Sequence, residues 1–303
     1  MDTEKKQNYR SHKRAVTTRN VFVYIFLVVI SILWLIPFVY LLSQSFTSNY
    51  STKYFFPFPA TQENINAGYP TFTWSNYAIL FHDPKDLYHF GAWYKNTLII
   101  SIVSCIVETV LILGTSYAFS RLRFKLRKPM MKLILILGMF PGFLGMLIVY
   151  YILKLVNMSG SIYSLIFIYI GGSAMQYYIA KGFFDTIPKS LDEAAMIDGA
   201  NKNTIFFKVI MPLSKPIIVY TLLITFTSPW GDFMFPSYLS MGDDMARTVA
   251  VGMQKMVTDL ANRAIYFPVF CAGGVVVSIP IVILFFWLQK YYVEGITGGA
   301  VKG

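Results

Sequence analysis

Six long apolar runs constrain this chain more than any other feature of its sequence. The first, residues 21–42, contains no charged residue, and at about 1.5 Å per helical residue it can cross a hydrocarbon core of about 30 Å. The other five lie at residues 96–119, 131–153, 162–184, 217–239 and 267–288. Apolar residues make up 55% of the 303 residues before glycine is counted, which is more than a soluble domain usually contains. We predict an all-α membrane protein with six transmembrane helices.

The basic residues are divided unevenly between the two sides of the membrane. An even number of spans places both termini on one side, and 19 of the 26 Lys and Arg residues belong to segments on that side, against seven in the opposite loops. Because cytoplasmic loops are enriched in basic residues, the net charge of +11 follows membrane topology and does not indicate nucleic-acid binding. We therefore predict a multi-pass protein of the cytoplasmic membrane, in contact with lipid, with both termini in the cytoplasm.

This topology divides the chain into five segments. They are a basic cytoplasmic N-terminus (1–20), a first transmembrane helix (21–42), an extracytoplasmic loop (43–95), a five-helix core (96–288) that contains a cytoplasmic loop (185–216), and a cytoplasmic tail (289–303). We expect the aromatic-rich loop 43–95 to form a small external cap. On a helix its His82, Asp86 and His89 could share a face and bind a metal, but such residues are more often simply solvated, and we predict no metal.

A polar hairpin, residues 190–216, separates the fourth and fifth apolar runs. Ser190 and Glu193 have the spacing of a capping box, which predicts the start of a helix, and Gly199 can supply the left-handed residue of a turn. Asn203 is expected to cap a second short helix, which Pro212 ends. The apolar face of that second helix consists of Ile205, Phe206, Val209 and Ile210. Helices this short need tertiary contacts, either with another protein or, in the simpler interpretation, with the chain itself.

The hairpin resembles the EAA loop of the permease subunits of bacterial ATP-binding-cassette importers. The residues that match in order and spacing are Glu193, Ala194, Ala195, Asp198, Gly199, Ala200, Pro212, Leu213 and Pro216. In that family the loop is a coupling helix that docks into a cleft of the cytoplasmic ATPase subunit. The resemblance implies that Glu193 meets a basic residue of the ATPase, that Gly199 allows the turn, and that Ile205 and Phe206 fill an apolar pocket.

Two further stretches resemble the carbohydrate branch of this family. Trp230 to Phe233, with Pro236, is similar to a WN-x-F-x-x-P motif, although Gly231 and Asp232 replace the usual residues. The last 15 residues closely resemble the QR-x-x-VEGLTAGAVKG tail of maltose-type permeases. The resemblance implies a tail that reaches the ATPase pair through Glu294, Gly295, Thr297, Gly298 and Lys302.

Membership of this family would define the fold, the activity and the partners. It implies a type I ABC importer permease fold and a permease subunit that takes up a sugar or an oligosaccharide delivered by an extracytoplasmic binding protein. The implied partners are a second permease subunit in the bacterial inner membrane and two ATPase subunits on its cytoplasmic side. Those ATPases would bind the ATP and magnesium, so we expect no catalytic residue and no bound cofactor in this chain.

The substrate path is predicted from polar and aromatic residues inside the apolar runs. A carboxylate near the middle of a span costs about 2.5–3.5 kcal/mol, so Glu108 should face protein or water, where it lines the path, accepts protons or has a structural role. Tyr177, Tyr178 and Trp230 could stack on sugar rings or could simply pack, and Asp232 lies beside Trp230. Helix breaks would mark the walls of the path, and we expect them at Pro141–Gly142, Gly171–Gly172, Pro229 and Pro236.

Motifs of other protein classes are missing from the sequence. It contains no GxxxxGK[ST] phosphate-binding loop, so ATP hydrolysis must occur in another subunit, and it contains no G-x-S-x-G or H-E-x-x-H motif of a hydrolase. Its two cysteines, Cys105 and Cys271, lie in apolar runs and do not indicate disulfide or zinc chemistry. Two alternatives remain at this stage: an ion- or proton-coupled secondary transporter that uses Glu108, and an ABC permease for a solute other than a sugar.

Overall fold

The computed structural model describes residues 2–139, 142–158, 160–172, 174–240 and 245–300. These residues fold into α-helices joined by short loops and contain no β-strand beyond two isolated bridges, Thr47 with Phe72 and Phe58 with Thr71. The prediction of an all-α protein is confirmed. The helices are α1 (Asp2–Ser45), α2 (Gln62–Asn66), α3 (Ser75–Phe81), α4 (Phe90–Arg121), α5 (Arg127–Met139), α6 (Gly142–Leu155), α7 (Ile162–Gly171), α8 (Ala174–Thr186), α9 (Ser190–Ile197), α10 (Lys202–Thr204), α11 (Met211–Leu213), α12 (Lys215–Gly231), α13 (Met234–Leu239), α14 (Val249–Thr258) and α15 (Arg263–Ala300), and a π-helical turn (Ile205–Ile210) joins α10 to α11.

Three helices are long and apolar enough to cross a membrane without a break. They contain the segments Arg19–Ser45, Phe90–Arg121 and Arg263–Tyr291. Three further spans arise among the described residues if each bent pair of consecutive helices is taken as one: α5 with α6, α7 with α8, and the segment Lys202–Leu213 with α12. The total of up to six agrees with the six apolar runs of the sequence.

The chain forms two compact units by its internal contacts. The first contains residues 1–78 and 264–275. In it the loop after α1 is organised by polar contacts, since Asn76 Nδ2 donates to the carbonyl oxygens of Ser45 and Thr47, both at 2.9 Å. The Phe46 ring stacks on Phe72 at 5.2 Å. The cap-like loop therefore has a defined interior, although its function as a cap stays a prediction.

The second unit contains residues 79–263 and 276–303 and is built around α4. Helices α7, α8, α12 and α14 all pack against α4. The closest approach is at Gly252 of α14, where an added Cβ would lie 1.9 Å from the Trp93 ring. Because α4 is half-buried along its apolar length, polar residues on its buried side face protein rather than lipid.

The helical face that His82, Asp86 and His89 could have shared does not form in the outer loop. Helix α3 ends at Phe81, before all three residues. Asp83 instead accepts backbone N–H bonds from Lys85, Leu87 and Tyr88 and holds a tight loop. Within the described ranges no group of three or more His, Cys, Asp and Glu side chains is placed to hold a metal ion.

The helix break expected at Pro229 and Pro236 lies between these two prolines, because α12 ends at Gly231 and α13 begins at Met234. Helix α12 passes through Pro229, and Pro236 lies inside α13. One missing N–H near the end of a packed helix is tolerated when neighbouring groups compensate. The break expected at Gly171–Gly172 is confirmed in position, since α7 ends at Gly171 and α8 begins at Ala174. Pro141 lies outside the described residues.

Candidate functional site

The hairpin between α8 and α12 has a turn as predicted, but its caps differ. Gly199 has a φ of +83°, the left-handed conformation that the turn requires. The capping box at Ser190 does not form, because α9 begins one residue earlier than expected, with Lys189 as its N-cap and the Glu193 N–H donating to the Lys189 carbonyl at 3.1 Å. Asn201, and not Asn203, caps the second helix by accepting the Thr204 N–H at 2.8 Å.

Pro212 does not end the second helix. It lies inside α11, and the direction of the chain changes by 82° between the segment Lys202–Leu213 and α12. Ser214, between these helices, is fully buried, and its hydroxyl donates to the Ile210 carbonyl at 2.7 Å. The hairpin is thus fixed at an angle to the span that follows it.

The apolar face of the hairpin packs on its own chain. Ile205 is 2% exposed and shares a core with Tyr117 of α4 and Phe184 of α8. The Phe206 ring lies 4.6 Å from the Tyr117 ring. The expectation that Ile205 and Phe206 fill a pocket in a partner is therefore wrong, because this chain already covers Ile205 and most of Phe206. Sequence reasoning finds an apolar face but cannot show which protein covers it.

The tip of the hairpin presents a different set of apolar residues to the surroundings. Ile197 is 87% exposed, Phe207 67% and Met196 52%. We call these three residues the apolar tip. Glu193, Ala194, Asp198 and Gly199 are also exposed, and Ala195 and Ala200 are partly buried against the core below. Phe207 lies outside the predicted apolar face of the second helix, whereas the exposure of Met196 and Ile197 depends on how α9 packs, which the sequence does not specify.

A buried arginine joins the end of α4 to the hairpin. The Arg121 side chain is 5% exposed, its Nη2 donates to the Ile187 carbonyl at 2.7 Å, and its Nε lies 3.4 Å from Asp192 Oδ2 of α9. Nearby, the Ser120 hydroxyl donates to Asp185 Oδ1 at 2.6 Å. The hairpin is therefore attached to α4 by an ion pair and by ring packing.

A cavity of about 320 Å³ lies among α4, α7, α8, α12 and α13. Its polar lining includes Glu108, Tyr169, Gln176 and Asp232, and the Tyr169 hydroxyl donates to Asp232 Oδ2 at 2.8 Å. Glu108 is 6% exposed. The structure thus brings Glu108 and Asp232, two residues distant in sequence, to one cavity. Sequence reasoning missed Tyr169 and Gln176; an amide inside an apolar run was the signal that could have identified Gln176.

The aromatic residues expected in the substrate path do not line this cavity. Trp230 is buried and its ring packs on Tyr94 at 5.3 Å. Tyr177 packs against the hairpin core, and the Tyr178 hydroxyl donates to the Met131 carbonyl. The prediction that these three rings stack on a sugar has no support in their surroundings, which are those of packing residues.

The tail continues the last helix. The backbone of Glu294, Gly295, Thr297 and Gly298 lies within α15, which extends to Ala300. Lys302 lies outside the described residues. The contact of this tail with an ATPase pair stays a prediction.

The comparisons with known proteins agree on one family. Residues 110–298 match the family described as "Binding-protein-dependent transport system inner membrane component". The maltodextrin transport system permease protein MalD of Streptococcus pneumoniae is 38% identical over 71% of this chain and 76% of its own length. The galactooligosaccharides transport system permease protein GanQ of Bacillus subtilis is 38% identical over 78% and 81%, and MdxG of the same organism, a maltodextrin permease, is 31% identical over 92% and 95%.

A solved structure shares the fold. A chain of a bacterial ABC transporter involved in the import of the acidic polysaccharide alginate superposes with a TM-score of 0.73 at 22% identity, over 90% of this chain and 96% of that one. The superposition supports the ABC importer permease fold.

Proposed function

The chain belongs to the family of binding-protein-dependent transport system inner membrane components, and on that premise we propose that its transported solute is a sugar or an oligosaccharide. It is a membrane-embedded permease subunit of an ABC importer and not an enzyme. One observation carries the choice of solute: relatives that are 31–38% identical and match 71–92% of the chain are named as maltodextrin and galactooligosaccharide permeases. These names favour a sugar over another solute, and membership of the family opposes a secondary transporter.

The proposed assembly contains three kinds of partner. A second permease subunit completes the path, two ATPase subunits bind ATP and magnesium in the cytoplasm, and an extracytoplasmic binding protein delivers the sugar. The excess of basic residues in alternate loops supports an orientation with both termini and the hairpin in the cytoplasm. The C-terminal end of α15 would then lie on the side of the ATPases.

The proposed coupling runs through the hairpin. The apolar tip of Met196, Ile197 and Phe207 is exposed and suits a groove on the ATPase, as amphipathic helices dock into apolar grooves. Glu193 is exposed beside it and can meet a basic residue there. Ile205 and Phe206 have the complementary role of holding the hairpin on α4 and α8. Closure of the ATPases would then move α9 and, through it, α4.

Purification of the intact assembly tests the proposed function. The four-subunit transporter in lipid vesicles is mixed with its binding protein loaded with maltotriose or with galactotriose, and both ATP hydrolysis and sugar uptake are measured. We expect one of these loaded forms to stimulate hydrolysis severalfold over the empty binding protein and to drive uptake. Stimulation by neither sugar, with stimulation by an amino acid or a peptide, would contradict a sugar substrate.

A further inference from the structure

The cavity beside Glu108 is rich in hydrogen-bond acceptors. Glu108 and Asp232 supply carboxylate oxygens, which accept and do not donate when ionised. Gln176 supplies an amide oxygen, and in the described structure its Oε1 is buried without a hydrogen-bond partner. Among the described lining residues no Lys, Arg or His is present. A buried acceptor without a donor is costly, so a ligand that brings donors would be stabilised here.

The volume and the lining of the cavity define the size and the polarity of such a ligand. A cavity of about 320 Å³ is at the lower end of ligand pockets, which span about 300–1,000 Å³. Ile168, Ile224 and Phe235 provide apolar walls that can cover the C–H face of a sugar ring. Hydroxyl groups donate hydrogen bonds to carboxyl oxygens, whereas a ligand carboxylate would meet two acidic side chains with no basic side chain among the described lining residues.

We propose that this cavity is a sugar-hydroxyl site that selects uncharged glycans against anionic ones, an inference that rests on the proposed function. Glu108 and Asp232 accept hydroxyl donors of the passing sugar, and Gln176 accepts a third. Tyr169 is a positioning residue, because its hydroxyl donates to Asp232 and fixes the orientation of that carboxylate. The shared fold with a chain of an alginate importer does not oppose this selectivity, since the charge depends on the side chains that line the cavity.

Labelling of a cysteine with charged thiol reagents tests whether the cavity is electrostatically negative and whether small molecules can reach it, and it needs no sugar. Met175 lines the cavity and is 62% exposed, so Met175→Cys places a thiol there, and the unmodified chain with its buried Cys105 and Cys271 is the blank. In the intact assembly we expect an ethylammonium methanethiosulfonate to react at least about tenfold faster than the ethylsulfonate reagent, relative to a free thiol. The added changes Glu108→Gln and Asp232→Asn should remove most of this preference. A thiol that does not react, or that reacts with equal preference, would overturn the proposal.

Sugar transport by the same variants tests whether the transported sugar binds in this cavity. For whichever trisaccharide the unaltered assembly imports, maltotriose or galactotriose, we expect Glu108→Gln with Asp232→Asn to lower the sugar imported per ATP hydrolysed at least about tenfold. Tyr169→Phe should have a smaller effect in the same direction, and Glu63→Gln on the exposed helix α2 should have none. Import by the double variant at the unaltered rate would overturn the proposal that this cavity binds the sugar, while leaving the proposed function intact. An unaltered assembly that imports neither sugar would instead contradict the proposed function, and the labelling ratio would still decide the charge of the cavity.

Discussion

Substitutions at Gly199 test the effect of backbone conformation on the hairpin separately from the effect of steric clashes. Its φ is +83° and no atom lies within 4 Å of the position where a Cβ would be, so a side chain there meets strain but no clash. A β-branched residue is a genuine outlier at positive φ, whereas asparagine tolerates it.

We expect Gly199→Val to abolish transport and Gly199→Asn to retain most of it. The strain in the valine variant is about 1–2 kcal/mol, enough to reshape the turn while leaving membrane insertion intact. Sugar uptake by cells that contain equal amounts of each variant in the membrane checks this. Equal transport by the two variants would mean that the turn is not needed in this conformation.

Gly252 has the opposite constraint, since space and not φ is limiting. A Cβ there would lie 1.9 Å from Trp93 Cε3, and the Trp93 side chain is fully buried between α4 and α14. We expect Gly252→Ala to lower the free energy of unfolding by about 1–3 kcal/mol or more through overpacking. Thermal unfolding of the purified assembly measures it, with Gly114→Ala as the matched control because no atom lies within 4 Å of its added Cβ.

A second substitution keeps the test of Gly252 informative if the alanine variant does not fold. Trp93→Leu removes the ring that the new methyl group would meet, so the double variant should regain part of the stability that Gly252→Ala loses. A double variant that is as unstable as the sum of the two single variants would contradict the steric explanation.

Between elements, the proposed coupling depends on the contact that joins α4 to α9. Arg121 and Asp192 have side chains that are 5% and 14% exposed, and removing one partner of a buried ion pair costs about 3–5 kcal/mol. We expect Arg121→Met to leave the assembly able to hydrolyse ATP but to reduce sugar uptake per ATP severalfold, because the hairpin would move without α4.

The control for this link is Arg123→Met, two residues along the chain. Arg123 is exposed and, together with Arg121 and Arg127, lines a cleft beside α9 that is rich in basic residues. It therefore has similar electrostatic surroundings to Arg121 but does not form the buried ion pair. Uptake and hydrolysis should both stay near the unaltered level. If both substitutions uncouple the transporter equally, the general charge of the cleft and not the Arg121–Asp192 contact is responsible.

The elements could be predicted to different degrees from the sequence. The six apolar runs and the turn at Gly199 follow from local rules of hydropathy and backbone conformation. The structure confirms the turn and agrees with six spans if each bent pair of helices is taken as one. The sequence predicts Asn203 as the N-cap of the second helix of the hairpin, but the N-cap is Asn201, two residues earlier. The burial of Ile205 and the meeting of Glu108 with Asp232 depend on packing between distant helices, which no local pattern specifies.

For the molecule as a whole, the exposed apolar residues of the hairpin need a different explanation from those on the spans. Large apolar side chains on α1 and α15 are exposed where lipid is expected to cover them. Ile197 and Phe207 are exposed on a polar hairpin outside the apolar runs, where lipid is not expected to cover them. The proposed coupling therefore requires a protein partner that covers the apolar tip.

Site-specific photo-crosslinking in the intact assembly tests this dependence most directly. A benzophenone amino acid placed at Ile197 is compared with one at Leu260, which is 83% exposed in the loop between α14 and α15 and is expected on the outer side. If the hairpin docks on the ATPase, we expect an adduct with the ATPase subunit from position 197 and none from position 260. Absence of an ATPase adduct from position 197, or an equal yield from position 260, would contradict this docking.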